Sequence, residues 1–302
     1  MLYTIRHVTR YEYPGEVRES VMEVRKHPQS NSYQRCLQFQ LRTVPEVRVF
    51  QYCDHLANVV HHFDIPWNHR SLTVTAESIV DVRPPADRNN YPPDPRGSWD
   101  ELAEFISNHD CCEMLQDSRY VTSAGPLEAF QQELGAQRRG TPFQLALELN
   151  QAVHHALEYD RSSSKVDSTV DEILAARKGV CQDFAHIMIA SLRALGLAAR
   201  YVSGYLLTQA QPGQRTLLGS DASHAWVSVY LPDLPESEGH TRWWDFDPTN
   251  QRDGCGTPGD DYVTVAWGRD YADVAPLRGM IQGGGAHTLQ VAVTVTALHA
   301  LG

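Results

Sequence analysis

Three residues stand in settings that suit nucleophilic acyl transfer. Cys181 follows Gly179-Val180 and opens a run in which Phe184, Ala185, Met188, Ile189, Leu192 and Leu195 recur at helical spacing, with Gly196 as the stop. A thiol at the first position of a helix lies beside N–H groups that lack intrahelical partners and at the positive end of the helix dipole, conditions that favour a thiolate and can hold an oxyanion. His224 lies in HAWVSVYLP, where His224, Trp226, Ser228 and Tyr230 share one strand face and Ala225, Val227, Val229 and Leu231 the other. In TRWWDFDPT, Trp243, Asp245 and Asp247 alternate against Trp244 and Phe246, and Pro248 ends the strand. If these two strands form an antiparallel hairpin across PDLPESEGHT, the register that opposes His224 and Asp247 puts their Cβ atoms roughly 4.5–5.5 Å apart. A slip of two would bring Asp245 or Thr249 there instead, so Asp245 competes for the role. Alone, the cysteine reads as core packing and the histidine as a hydrogen-bonded strand residue. Together they supply an imidazole to activate the thiol and a carboxylate to orient the imidazole.

Around these residues, Asp183, Trp226, Arg269 and Tyr271 are candidate cleft-lining residues. The bland alternatives are structural hydrogen bonds for Asp183 and His186, and a surface turn for Arg269-Asp270-Tyr271. The chain has no CxxC and no EF-hand pattern, and the adjacent His61-His62 pair projects to opposite faces of a strand. No metal and no cofactor are expected.

The elements that must carry these groups follow from hydrophobic period. Residues 1–83 contain short alternating runs, LYTIRHVTRYEY, CLQFQLRTVP, VRVFQYCD, ANVVHHFDIP and SLTVTAESIVDV, which predict an antiparallel β-sandwich. Five prolines from Pro84 to Pro95 predict a linker at 84–97. Beyond it come Ser98 with Glu101 as a capping box, PLEAFQQEL and PFQLALELNQAVHHALEYD with Pro in the first turn, and a short helix capped by Ser168 or Thr169 and ended by Gly179. The Cys181 helix follows, buried nearly all round, and then the strands ARYVSGYLL, HAWVSVYLP, TRWWDFDPT, YVTVAW and TLQVAVTVTAL. Helices first and strands afterwards define an α+β unit over 98–302.

Composition bounds the function. The 302 residues carry 26 basic and 37 acidic side chains, net −11, which disfavours nucleic-acid binding. Residues 1–83 hold 10 basic and 9 acidic side chains, so the acidity belongs to the remainder. No apolar run is long enough for a membrane span and the start shows no export segment. With six unpatterned cysteines, this predicts a cytoplasmic protein.

The motifs GVCQDFA, RALGLAARYVSGY, DASHAWVSVY and WWDFDPTN, in that order, resemble those of the transglutaminase-like superfamily, in particular the bacterial members described as candidate cysteine proteases. Residues 1–83 resemble the β-rich region that accompanies this domain, and VAWGRDYADVAPLRG at 265–279 is similar to the segment that follows it. The resemblance implies a papain-like core with Cys181 as nucleophile, His224 as base and Asp247, rather than Asp245, as third member. It implies a thioester formed from a peptide or glutamine-type amide and resolved by water (protease, amidase or deamidase), or by an amine in a true transglutaminase. A peptide or protein substrate is the implied partner, together with other proteins of a peptide-modifying pathway. A non-catalytic peptide-binding or scaffolding module is the rival of another class.

Overall fold

The computed structural model describes residues 1–84, 99–100, 102, 104, 111–123, 125–163, 167–207, 223–231 and 242–298. The prolines beyond Pro84, the Ser98/Glu101 box and the loop 232–241 lie outside the described residues. The architecture is α+β, an N-terminal antiparallel β half-barrel joined to a mixed helix and sheet core.

The alternating runs of the N-terminal region form β1 (Leu2–Val24), β2 (Gln34–Val44), β3 (Phe50–Cys53), β4 (Val59–Ile65) and β5 (His69–Val82). β1 pairs with β5 from Leu2↔Asp81 to Glu12↔Ser71, and further on with β4 from Ser20↔Ile65 to Val24↔His61. β4 and β5 thus act as one antiparallel ribbon broken at 66–68. β2 on β5 and β3 on β4 form a second ribbon outside it, broken at 45–49. Leu72, Val74 and Ala76 are buried, as their alternation predicts, and His61 is buried while His62 points to solvent.

Helices α1 (Gly125–Leu134) and α2 (Pro142–Ala156) begin the second part. Thr141 caps α2 in a reciprocal box with Gln144, and Leu145, Leu149 and Val153 are its buried stripe. β6 (Glu158–Tyr159) precedes α3 (Val170–Ala176), where Thr169 and Glu172 form the capping box. Gly179 does not end this helix. Arg177 does, in the left-handed region at φ 54°, and Gly179 lies in β7 (Lys178–Gly179), which pairs in parallel with β6. The central helix α4 (Cys181–Ala194) then packs on a five-stranded sheet of order β11–β10–β9–β8–β12. Its strands are β8 (Ala199–Leu206), β9 (Ser223–Tyr230), β10 (Trp243–Asp247), β11 (Arg252–Cys255) and β12 (Tyr262–Gly268). A short α5 (Tyr271–Val274) leads out.

The chain then returns to its start. β13 (Leu277–Gly283) and β14 (Thr288–Leu298) pair along the free edge of β1, from Val24↔Leu277 to Leu2↔Leu298. The first sheet therefore takes strands from both ends of the chain. The alternation of TLQVAVTVTAL marks a strand but carries no information about which edge it will join. The ribbons turn together at one corner. There Gly15 N–H donates to Gly284 C=O at 3.2 Å, and Gly283, Gly284 and Gly285 hold φ of 98°, 79° and 71°.

Two buried side-chain amides join the half-barrel to the five-stranded sheet. Gln34 accepts from Thr264 N–H and donates to Thr264 C=O, both at 2.8 Å. Asn58 accepts from Trp267 N–H at 2.8 Å and donates to Trp267 C=O at 2.7 Å. Each amide replaces the neighbouring strand that β12, an edge strand, would otherwise lack. A buried hydrogen-bond chain runs beside them. Lys26 Nζ donates to Thr9 Oγ1 at 2.6 Å, Thr9 to His7 Nε2 at 3.4 Å, and His7 Nδ1 to the Tyr205 hydroxyl of β8 at 2.9 Å. Burial pushes the Lys26 ammonium down to about 7 and His7 well below its ordinary range.

Gln34→Leu unpairs the Thr264 N–H, while Gln29 N–H still serves the Thr264 carbonyl. Urea unfolding is expected to show a loss of about 1–3 kcal/mol with the m-value unchanged.

Candidate active site

The site begins at the turn into α4. Parallel pairing of β6 with β7 sets Tyr159 beside Gly179, and Asp160 N–H donates to Gly179 C=O at 2.9 Å. Asp183 folds back so that its Oδ2 accepts from Val180 N–H at 2.7 Å. A Cβ at Gly179 would lie 2.6 Å from Asp183 Cβ and Oδ2, so the glycine makes room for the cap. Cys181, half-buried, thus sits at a fixed helix N-terminus.

His224 is near the start of β9, paired with Gly204 of β8. That neighbour has to be glycine, because a Cβ there would meet Val263 C=O at 2.3 Å and the Trp226 ring at 2.4 Å. The hairpin of β9 and β10 forms with Trp243↔Tyr230, Asp245↔Ser228 and Phe246↔Val227. This is two residues from the expected register, so Asp247 is not directly opposite His224. The pair forms along the diagonal instead: His224 Nε2 donates to Asp247 Oδ2 at 2.6 Å. Asp245 makes the same diagonal contact one step back, accepting from Trp226 Nε1 at 2.8 Å. Diagonal neighbours are farther apart than opposed ones but within reach of long or aromatic side chains. The two aspartates thus take different partners, and Asp245 does not contact the imidazole.

Asp247 is fully buried, and its carboxylate is saturated. Oδ2 also accepts from the Tyr262 hydroxyl at 2.7 Å and Asn250 Nδ2 at 2.8 Å; Oδ1 accepts from Thr249 and Asn250 N–H at 2.8 and 3.2 Å. Burial pushes this carboxyl up, but His224, Tyr262 and Asn250 outweigh it and hold the group below its ordinary range. For His224 burial acts downward. The charge of Asp247 and hydrogen bonds to Asp247 and Cys181 reverse that and raise it to about 10. Asp245, by contrast, is pushed up to about 6 by burial.

Asp183 is completely buried and serves the helix cap, while Trp226 is buried beneath His224 with ring centroids 6.2 Å apart. Arg269 is engaged by both carboxylate oxygens of Asp273, at 2.9 and 3.1 Å. Tyr271 is half-buried, and its N–H donates to Nε2 of the buried His186 at 3.2 Å; burial pushes His186 down to about 4. Tyr159 is 47% exposed near the start of α4. Sequence reasoning missed Asn250 and Tyr262. Asn250 had a local signal, an amide three residues after the aspartate in DPTN. Tyr262 had none, because it reaches Asp247 from the far edge of the sheet. Among the described residues no three His, Cys, Asp or Glu side chains could together hold a metal ion, and no helix is long and apolar enough to cross a membrane.

The model of the Transglutaminase-like superfamily matches residues 129–248, and that of the Bacterial transglutaminase-like N-terminal region matches residues 3–81. The chain belongs to the transglutaminase-like superfamily, in the bacterial form that carries this N-terminal region. An uncharacterized protein of Mycobacterium tuberculosis is 34% identical over 281 residues, 92% of this chain and 87% of that one. A crystal structure of a candidate cysteine protease from Cytophaga hutchinsonii shares the fold, with a TM-score of 0.74, 20% identity, and coverage of 99% of this chain and 91% of that chain.

The expected cytoplasmic location is corrected. Another similar structure is the periplasmic domain of TgpA from Pseudomonas aeruginosa (TM-score 0.36, 16% identity, 80% of this chain and 89% of that chain). The physical reason is that cysteine usage separates compartments chiefly for small domains that need disulfide staples, and a chain with a core of this size needs none.

The raised His224 and lowered Asp247 carry opposite signs of pH dependence. The His224 contribution to stability is complete below its unfolded value of about 6.5 and is lost as pH rises toward 10; that of Asp247 is present above about 3.9 and lost in acid. Thermal melts from pH 6 to 10 should therefore show a falling Tm in wild type and a flatter profile in Asp247→Asn. Parallel profiles would contradict the assignment.

Proposed function

We propose that the protein is a cysteine-dependent acyl-transfer enzyme acting on peptide or glutamine-type amides, with water resolving the acyl-enzyme. The observation that carries this reading is the buried His224–Asp247 hydrogen bond beside a cysteine at a helix N-terminus, with Cys181 among the groups that raise His224.

The Cys181 sulfur attacks the amide carbonyl and an S–C bond forms, while the first-turn N–H groups of α4 stabilise the oxyanion. His224, protonated by the Cys181 proton, returns it to the nitrogen of the departing amine or ammonia as the C–N bond breaks, leaving a thioester. Water then attacks the thioester, giving up a proton to His224. The C–S bond breaks, the carboxylic acid leaves and the thiol is restored. Asp247 holds the imidazole and stabilises its charged form. Tyr262 and Asn250 act through Asp247 as positioning residues. The partial exposure of Cys181 and the exposed Tyr159 beside the turn support access of water to the sulfur.

The test follows the products from glutamine-containing peptides with and without an added primary amine. Ammonia or peptide cleavage without amine incorporation is expected. Incorporation of the amine as the main product would replace hydrolysis with transamidation. Cys181→Ala should lower turnover by at least about 10³-fold, and Asp247→Asn by a comparable factor with the fold intact by circular dichroism. Full activity in both variants would overturn the residue assignment, and no product from the wild-type protein would favour a non-catalytic peptide-binding module.

A further inference from the structure

The half-barrel carries a second feature that the proposed chemistry does not use. A groove of about 510 Å³ is lined by His27, by every residue of β2 from Cys36 to Leu41, and by Val49, Gln51 and His61. Side chains of a strand alternate between faces, so a cavity lying on one face touches every second residue. Beyond the register shift at Leu37, contact with Gln38, Phe39, Gln40 and Leu41 in succession means that the groove follows the main-chain edge of β2. Among the described residues β2 is paired only with β5, and the Cys36 N–H donates to Ser30 Oγ at 3.0 Å, which leaves the edge at 38–41 open to another strand.

The edge ribbon is apolar where an edge is usually guarded. Leu37 and Val44 on β2 are 53% and 62% exposed, and Phe50 and Tyr52 on β3 are each 41% exposed. A long, exposed, apolar edge is a template for strand addition. Inside the groove the Phe39 ring is tilted by 46° on His27 at 4.5 Å and stacks on His61 at 5.0 Å, and buried His61 keeps an Nδ1 with no hydrogen-bond partner among the described residues. Burial lowers both histidines, which leaves neutral rings suited to apolar or amide groups rather than anions. The segment that carries the edge is basic: residues 34–51 hold Arg35, Arg42 and Arg48, all exposed, against Glu46 alone.

We propose that the β2 edge is a docking site for an extended segment of another protein, with apolar residues alternating with acidic ones, which pairs its main chain with residues 38–41. The groove at Phe39, Leu41 and Val49 receives the apolar side chains, and the arginines meet the acidic ones. A second copy of this chain fits less well, because the groove is walled on its far side by Val49, Gln51 and His61 and has room for one strand rather than the edge of a folded sheet.

The probe is a labelled, N-acetylated octapeptide of alternating Glu and Val, titrated by fluorescence anisotropy into the full chain carrying Cys181→Ala, so that the result does not depend on the proposed chemistry. Saturable binding is expected, weakened at least tenfold when Lys replaces Glu. Two further peptides are N-methylated on every Val or on every Glu; one should bind at least tenfold more weakly and the other like the parent, because only alternate N–H groups face β2. Amide hydrogen exchange should show new protection within 38–41. Equal binding of all four peptides, protection centred on residues 179–184 instead, or a concentration-dependent dimer that excludes the peptide would each overturn the proposal. Because the peptides change and the protein does not, misfolding cannot produce the expected pattern.

Discussion

The buried hydrogen bond between His224 and Asp247 is the constraint around which the rest of the site is built. A carboxylate fully removed from water is costly unless its lone pairs are met, and here two backbone N–H groups, an amide, a phenol and an imidazole meet them. Those donors come from β9, β12 and the turn after β10. The five-stranded sheet must therefore be in register before the carboxylate can be buried.

That requirement explains features distant from the sulfur. Tyr262 reaches Asp247 from β12, the strand whose outer edge is closed by Gln34 and Asn58 of the N-terminal region. The half-barrel supplies the missing neighbour to the strand that completes the ion pair. On the opposite side of β9, Gly204 allows the Trp226 ring to lie under His224, and Asp245 fixes that ring through its indole N–H. The two aspartates of WWDFDP thus divide the work: Asp247, rich in donors, stays ionised, and Asp245, with burial pushing it up to about 6, anchors a tryptophan.

The half-barrel itself combines a closed side and an open one. One edge of β1 is covered by β13 and β14 from the end of the chain, and the corner they share depends on Gly15 and on three glycines in the left-handed region. The other side of the sheet ends at β2 and β3, whose outer edge is unpaired among the described residues. Helix α4 shows a similar economy. Its polar stripe of Gln182, His186 and Arg193 is buried, and Arg193 uses its guanidinium to satisfy the carbonyls of Ala199, Gln116 and Arg269.

The sequence by itself determined what depends on neighbours along the chain. The helix start at Cys181, a cap at Ser168 or Thr169, the helix that Pro142 opens, the alternating strands of residues 1–83 and the motif order that names the superfamily were all legible, because period, capping and composition act within a few residues. It also named Cys181, His224 and Asp247 as a group, through motif likeness. It could not choose between Asp247 and Asp245 by spacing, since the register of a hairpin is set by how both faces pack, and the two-residue slip turned an expected direct pair into a diagonal one. Nor could it find Tyr262, or send 277–298 back to β1. Partners separated by long stretches of chain leave no local trace, and only the tertiary structure, by burying Asp247 and requiring every polar atom around it to be met, decided them.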